Sequence, residues 1–314
     1  MANPVKAQHN RHNRRSRLLK YEGFGDNVLL IFIYFILLMV LLAILLPMIN
    51  IVSSSFSSPK AVMAGKVSLL PVEFTLVGYE AVLSNKLIVS GFRNSFIYTI
   101  FGTIMNLSMT LFAAYPLSRD GFFGNKFFVI LFTITMFFSG GMVPSYLLMK
   151  NLRLINSPLA MIIPSGVAVY NMIIARTYMR TSIPLDIYGA AEIDGCSDSG
   201  IFFRIVIPLS KPLVAVLVLM FAVGHWNSYF GGLMYLRDEN LFPLQLVLRK
   251  ILILNQIDIT KMDVTRIKHL WEKQYYAELI KYSSIVVSTV PMLMIYPFIQ
   301  KYFVKGIMLG SLKE

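Results

Sequence analysis

Few side chains in this sequence have the type and spacing needed for chemistry. The four histidines stand at 9, 12, 225 and 269 and the one cysteine at 196, so no Cys/His set has metal-site spacing and no intrachain disulfide can form. No G-x-x-x-x-G-K-[ST] run occurs, which leaves no loop to cradle a nucleotide's phosphates. Paired carboxylates within apolar stretches, which proton-coupled carriers use, are missing too. Two groups of residues remain. Asn106, Asn171, His225 and Asn227, with Trp226 and Tyr229 beside the last two, interrupt apolar stretches. They offer hydrogen bonds next to aromatic faces, a combination that suits a hydroxyl-rich solute. It equally suits hydrogen bonding between helices, worth about 0.6–2 kcal/mol per bond, and for Asn106 and Asn171 that second use is favoured. The other group, Asp186, Glu192 and Asp194 among glycines and alanines, lies in a polar segment suited to contact with another protein.

The elements that must position these residues follow from composition. Of 314 residues, 56% are hydrophobic and only 14% charged, against about 25% charged in soluble domains. Six stretches contain no Lys, Arg, Asp or Glu: 27–59, 94–118, 127–149, 154–175, 212–236 and 282–300. A bilayer core about 30 Å thick needs roughly 20 apolar residues in a helix. Each stretch meets or approaches that length, and 28–46 is apolar throughout rather than alternating as a barrel strand would. The expectation is an all-α integral membrane protein with six spans, at about 28–50, 94–117, 127–149, 156–178, 212–236 and 280–302. A soluble globular enzyme and a disordered chain are excluded. The first span is too long for the core of a signal peptide and no A-x-A site follows it, so it is read as a retained anchor.

An even number of spans puts both termini on one side. That side carries 15 Lys and Arg against 14 opposite, and against 6 once the long 237–281 segment, which counts for little in orientation, is set aside. Both termini are therefore expected in the cytoplasm. Residues 1–26 form a basic tail containing HNRHNRRSR, which fits anionic lipid headgroups better than nucleic acid because a membrane span follows directly. The membrane body is expected to cover 27–304, with external loops at 51–92 and 237–278, a cytoplasmic loop at 182–209 and a cytoplasmic tail at 305–314. Ser53–Ser58 is the one low-complexity tract.

In the cytoplasmic loop, Ser182 and Pro184 start a helix that runs to Asp194, where Gly195 ends it. Ala190 and Ala191 allow close approach of another surface. A second helix from Asp198 to Ile205 presents Ile201, Phe202 and Phe203, and Pro208 stops it, giving a projecting knob. The run Ala190-Ala191-x-x-Asp194-Gly195 with Phe203, Ile205, Ile207, Pro208 and Leu209 resembles the "EAA" loop of ABC-importer membrane subunits. Residues 74–94, 140–156, 224–229 (GHWNSY) and the terminal KYFVKGIMLGSLKE are similar to the carbohydrate-uptake branch, the MalG-like and LplC-like permeases.

The resemblance implies a type I ABC importer (MetI-like) permease fold in a bacterial cytoplasmic membrane. It implies an oligosaccharide or related glycan as cargo, and the excess of 14 basic over 8 acidic residues in the segments expected outside admits acidic types such as alginate or uronate polymers. It also implies a second permease subunit, two ATPase subunits and an extracytoplasmic solute-binding protein as partners, with ATP and Mg on the ATPases and no cofactor on this chain. The loop residues Asp186, Gly189, Ala190, Ala191, Glu192, Asp194, Gly195, Phe203 and Pro208 would dock on the ATPase. Asn171, His225, Trp226, Asn227 and Tyr229 would flank the translocation path. The family's glutamate before the two alanines is Gly189 here, and Glu192, with Asp186 as the other option, is expected to supply the charge. The outer segment with Arg237, Asp238, Glu239, Asp263, Arg266, Lys268 and Trp271 would meet the binding protein. Two other functions stay open: a permease for peptides or amino acids, and a membrane enzyme acting on lipid-linked sugars.

Overall fold

The computed structural model describes residues 24–254, 275, 277, 278, 280–295, 297 and 300, and among these every regular element is helical. The basic tail, the stretch 255–274 with Asp263, Arg266, Lys268 and Trp271, and the C-terminal tail lie outside the described residues.

The first helix, α1 (Phe24–Ser55), is apolar on all sides, and no part of its apolar window is buried within the chain. Such a helix is at home in lipid, where all its backbone bonds are internal. Only its last turn packs, and the serine tract does the packing. Asn50 donates to the Ser68 carbonyl at 2.9 Å, Ser53 to the Leu69 carbonyl at 2.7 Å, and the Val72 amide donates to Ser57 Oγ at 3.0 Å. Ser58 pairs with Glu73, and Phe56 stacks on Phe74 at 5.6 Å. The low-complexity tract is thus a seat for the segment 67–75.

Helix α2 (Lys86–Ser118) is capped by Asn85, whose side chain accepts from the Leu87 and Ile88 amides. Its 33 residues make it about 50 Å long at 1.5 Å per residue. The helix starts eight residues before the expected span because Asn85 caps it there and the polar first turns stay helical outside the apolar stretch. The residues that open the expected span hold a distant segment: Asn94 donates to the Asn240 carbonyl at 2.6 Å, Tyr98 to the Leu241 carbonyl at 2.8 Å, and the Leu244 amide donates to Ser95 Oγ at 2.8 Å.

Three of the six expected spans are interrupted. The third is α3 (Asn125–Phe137) and α4 (Met142–Asn151), bent by 112° at the Gly140-Gly141 pair. The fourth is a turn of helix at Leu159–Ile162, a tighter turn over Ile163–Ser165, and then α5 (Val169–Ser182), with Pro164 and Gly166 between. The loop 182–209, expected from the sequence to be cytoplasmic, comprises α6 (Leu185–Ile193) and α7 (Asp198–Leu209), and α7 meets α8 (Lys211–Trp226) at 82°. The fifth span is α8 and α9 (Tyr229–Tyr235), broken at Asn227-Ser228. Then come α10 (Leu244–Leu254) and α11 (Ile280–Ile295). By length and composition α1 and α2 can each cross a bilayer alone, and the bent pairs α3/α4 and α7/α8 can each do so together. Runs without charge identify apolar stretches but cannot show where a helix breaks inside them.

The main core joins the inner half of α2 to α5, α6, α7 and α8 through Leu111, Met172, Met179, Tyr188, Ile201 and Leu217. The loop 182–209 is therefore half inside the core rather than a free knob. Ile201 and Phe202 point inward, Phe202 packing 5.0 Å from Tyr115 and 5.4 Å from Phe112, while Phe203 stays exposed. Pro208 does not stop the helix. A single wide turn at Phe202–Val206, closed by the Ile207 amide bonding to the Phe202 carbonyl, shifts the ladder so that Pro208 falls at the start of a fresh turn, where a missing N–H costs nothing. Phe202→Ala is expected to cost about 3–5 kcal/mol of stability and Phe203→Ala under about 1 kcal/mol. Thermal unfolding of the two purified variants checks this, and equal losses would contradict the inward placement of Phe202.

Candidate functional site

Two sites emerge, one at the cytoplasmic loop and one at membrane depth. In the loop, α6 ends on Gly195 at φ 72°, with the Gly195 amide bonding to the Glu192 carbonyl at 3.1 Å and the Cys196 amide to the Ala191 carbonyl at 2.9 Å. This is the double-bonded helix end for which glycine is favoured. One side of α6, with Tyr188 and Ala191, is buried in the core. Asp186, Gly189, Ala190 and Ile193 on the other side are exposed, Ile193 by 88%.

Arg119, just past the end of α2, grips the inner side of α6. Its guanidinium lies 4.1 Å from the centre of the Tyr188 ring and pairs with Glu192, one turn further along. Burial pushes the Tyr188 phenol above its ordinary range, and the Arg119 charge offsets part of that rise. Nearby, Arg180 pairs with Asp120 at 2.7 Å, and Arg176 donates to the Leu117 carbonyl at 2.8 Å. Arg119, Asp120, Arg180, Tyr188 and Glu192 line an open cavity of about 930 Å³. Glu192 is thus engaged within its own chain, whereas Asp186 and Asp194 are exposed and make no ion pair among the described residues. A side chain placed at Gly189 would meet nothing within 4 Å, so packing does not require glycine there. Arg119 and Tyr188 do not stand out in the sequence. The available signal is that Arg119 ends an uncharged run and is followed by Asp120-Gly121, a turn.

At membrane depth the predicted path residues separate into two sets. Asn171 on α5 and His225 on α8 are 7% and 6% exposed and face one cavity of about 440 Å³. Asn106 lines the same cavity, together with Phe221, Ser228 and Tyr235. The His225 ring lies flat on Gly102, where a Cβ would stand 2.4 Å from the ring. Trp226 turns the other way. It is 1% exposed, set edge-on to Phe92 and Phe96 at 5.6 and 5.2 Å, and its Nε1 donates to the Ser288 carbonyl of α11 at 3.0 Å. Asn227 donates back to the Val223 carbonyl at 3.0 Å. Tyr229 is exposed, with Arg249 5.8 Å from its ring. A one-residue step along a helix rotates a side chain by about 100°, and here that step carries His225 to the cavity and Trp226 to α11. Among the described residues no group of three His, Cys, Asp or Glu is placed to hold a metal ion.

On the outer side, the Asn156 side chain accepts from the Arg237 and Asp238 amides at 2.9 Å each, and Lys250 pairs with Glu239. The first part of the outer segment is therefore tied to the 152–158 turn and to α10.

The two loop glycines make a direct test. Gly195→Ala is expected to destabilise by about 1–2 kcal/mol, because alanine resists the left-handed conformation. Gly189→Ala should raise stability by up to about 1 kcal/mol, as alanine favours a helix interior. Thermal unfolding distinguishes them, and a loss at position 189 matching that at 195 would contradict the geometry of α6.

A family model described as the binding-protein-dependent transport system inner membrane component matches residues 88–309. The chain is 38% identical over 284 residues to the polygalacturonan/rhamnogalacturonan transport system permease protein YtcP of Bacillus subtilis, covering 90% of this chain and 96% of that protein. It is 28% identical over 274 residues to the arabinooligosaccharides transport system permease protein AraQ of Halalkalibacterium halodurans, covering 85% and 90%. A chain from the crystal structure of a bacterial ABC transporter involved in the import of the acidic polysaccharide alginate superposes with a TM-score of 0.81 at 33% identity, covering 90% of this chain and 99% of that one.

Proposed function

The chain belongs to the family of binding-protein-dependent transport system inner membrane components, and from that premise we propose that it imports an oligosaccharide or related glycan, acidic polymers of the uronate type included. The observation that carries the proposal is the nearly full-length likeness to a permease for polygalacturonan and rhamnogalacturonan. The likeness to an alginate importer chain supports the same cargo class.

In this proposal the chain works with a second permease, two ATPase subunits that hold ATP and Mg, and an extracytoplasmic binding protein, and it has no ATPase site of its own. It lies in a bacterial cytoplasmic membrane with both termini inside, its basic tail against anionic lipid. The loop 182–209 carries the closing of the ATPase dimer to the spans, which switch as rigid bodies between two states. Asp186, Gly189, Ala190, Asp194 and Phe203 form the contact surface, while Ala191, Glu192 and Pro208 keep the loop in shape, together with Gly195. Because Glu192 is held by Arg119, Asp186 is the acid that stands in for the absent one at position 189. Asn171 and His225 border the path. Trp226 supports it from behind, and Asn227 and Tyr229 mark the end of α8.

Proteoliposomes containing the co-expressed transporter test the cargo. Uptake of an oligogalacturonate that needs both ATP and the binding protein is expected, and uptake that ignores either would contradict the assignment. Within the same particles Asp186→Ala should reduce binding-protein-stimulated ATP hydrolysis more than Glu192→Ala does. The reverse order would return the charge role to Glu192.

A further inference from the structure

The cavity between α5 and α8 lies where two helices break. One wall is the segment 163–168, between the short Leu159–Ile162 turn and α5, which contributes Pro164, Val167 and Ala168. The opposite wall is the α8–α9 break, through Gly224 and Ser228. In a bilayer, irregular backbone persists only where protein buries it or where it lines a polar cavity. Neither α5 nor α9 has a side-chain cap on its first amides. Two side chains more than nine-tenths buried face the cavity with an atom that has no hydrogen-bond partner: Asn171 Oδ1, an acceptor, and His225 Nε2, a donor or an acceptor according to tautomer. Leaving such an atom buried and unpaired costs about 1–3 kcal/mol, and two of them at one cavity point to a polar occupant.

The rest of the lining says what kind of occupant. None of the residues around the cavity is Lys, Arg, Asp or Glu, and Met161, Met220 and Phe221 give it an apolar wall. A carboxylate brought here would lose its hydration without gaining a counterion, at several kcal/mol. The positive end of α5 offsets at most about 2 kcal/mol of that. An uncharged hydroxyl group suffers no such loss, and its donor and acceptor match the two unpaired atoms. The volume, about 440 Å³, lies within the range of about 300–1,000 Å³ of small-molecule sites.

From these observations we infer that the cavity is a subsite for the uncharged, hydroxyl-bearing face of a sugar ring, held by Asn171 and His225, and that it excludes carboxylates. The inference rests on the glycan assignment above and sharpens it. If the cargo is a uronate polymer, its charges are neutralised by groups other than those lining this cavity, and this chain reads the hydroxyls.

The test uses the complete transporter in proteoliposomes with its binding protein and trigalacturonate as the probe. Asn171→Leu and His225→Leu are expected to lower uptake about tenfold each, the effect of one lost hydrogen bond. His225→Gln, which retains a donor and an acceptor, should stay within about twofold of wild type. A second arm does not depend on the cargo. In a Cys196→Ser background, Ser228→Cys should react with a neutral hydroxyethyl thiosulfonate at least about tenfold faster than with its anionic sulfonatoethyl counterpart, each corrected for its rate with free thiol. Wild-type uptake that persists unchanged in both leucine variants would overturn the subsite. An anionic reagent as fast as the neutral one would overturn the exclusion of carboxylates. A wild-type transporter that moves no trigalacturonate, while the thiol arm comes out as expected, would place the error in the glycan assignment rather than in the cavity.

Discussion

A backbone amide or carbonyl without a partner costs several kcal/mol in hydrocarbon, so an interrupted helix survives in a bilayer only where something else takes over the freed groups. The described fold follows from how this constraint is met. Helix α2 is unbroken over 33 residues and satisfies its own backbone, and the interrupted segments gather around it. At one end its side chains Asn94, Ser95 and Tyr98 bond to the backbone of residues 240–244. Past the other end, Arg119 holds α6 and Asn125 donates to the Leu117 carbonyl. The middle of α2 is bare at Gly102, which lets the His225 ring lie against the helix. One continuous element thus touches the outer segment, the membrane-depth cavity and the cytoplasmic loop.

The loop 182–209 gains its shape from the same packing. A helix of nine residues such as α6 is too short to be stable alone. It is held by Tyr188 and Ala191 in the core, by the glycine end at Gly195 and by the Arg119 contacts, and these leave Asp186, Gly189, Ala190 and Ile193 outside. In the proposed role, an exposed surface on a rigidly held helix can pass a push to the spans. A flexible knob would absorb it. The wide turn at Phe202–Val206 belongs to the same arrangement, since it turns Ile201 and Phe202 into the core and still accommodates Pro208 before the bend into α8.

Much of this was legible in the residues. Uncharged runs located the apolar stretches, Gly195 marked the end of α6 to the residue, and the loop pattern led to the family that the match over 88–309 then established. The breaks inside the stretches were not read, although Gly140-Gly141, Pro164 with Gly166, and Asn227-Ser228 are all poor helix formers. An apolar run reports burial in lipid and says nothing about continuity. Nor could composition separate His225 from Trp226, because which way each faces depends on packing against α2 and α11. Arg119 shows in the sequence only as the charge that ends an uncharged run. Its contacts with Tyr188 and Glu192 join residues some 70 positions apart, and no local pattern reports that.

The most direct measurement is a cryo-electron microscopy structure of the complete transporter, trapped with ATP and a binding protein loaded with oligogalacturonate. The exposed side of α6 is expected to be seated on an ATPase subunit, with sugar density between the α5 and α8–α9 breaks and its hydroxyls on Asn171 and His225. Sugar lying wholly elsewhere, with that cavity closed by its own Met161 and Met220 side chains, would contradict that placement.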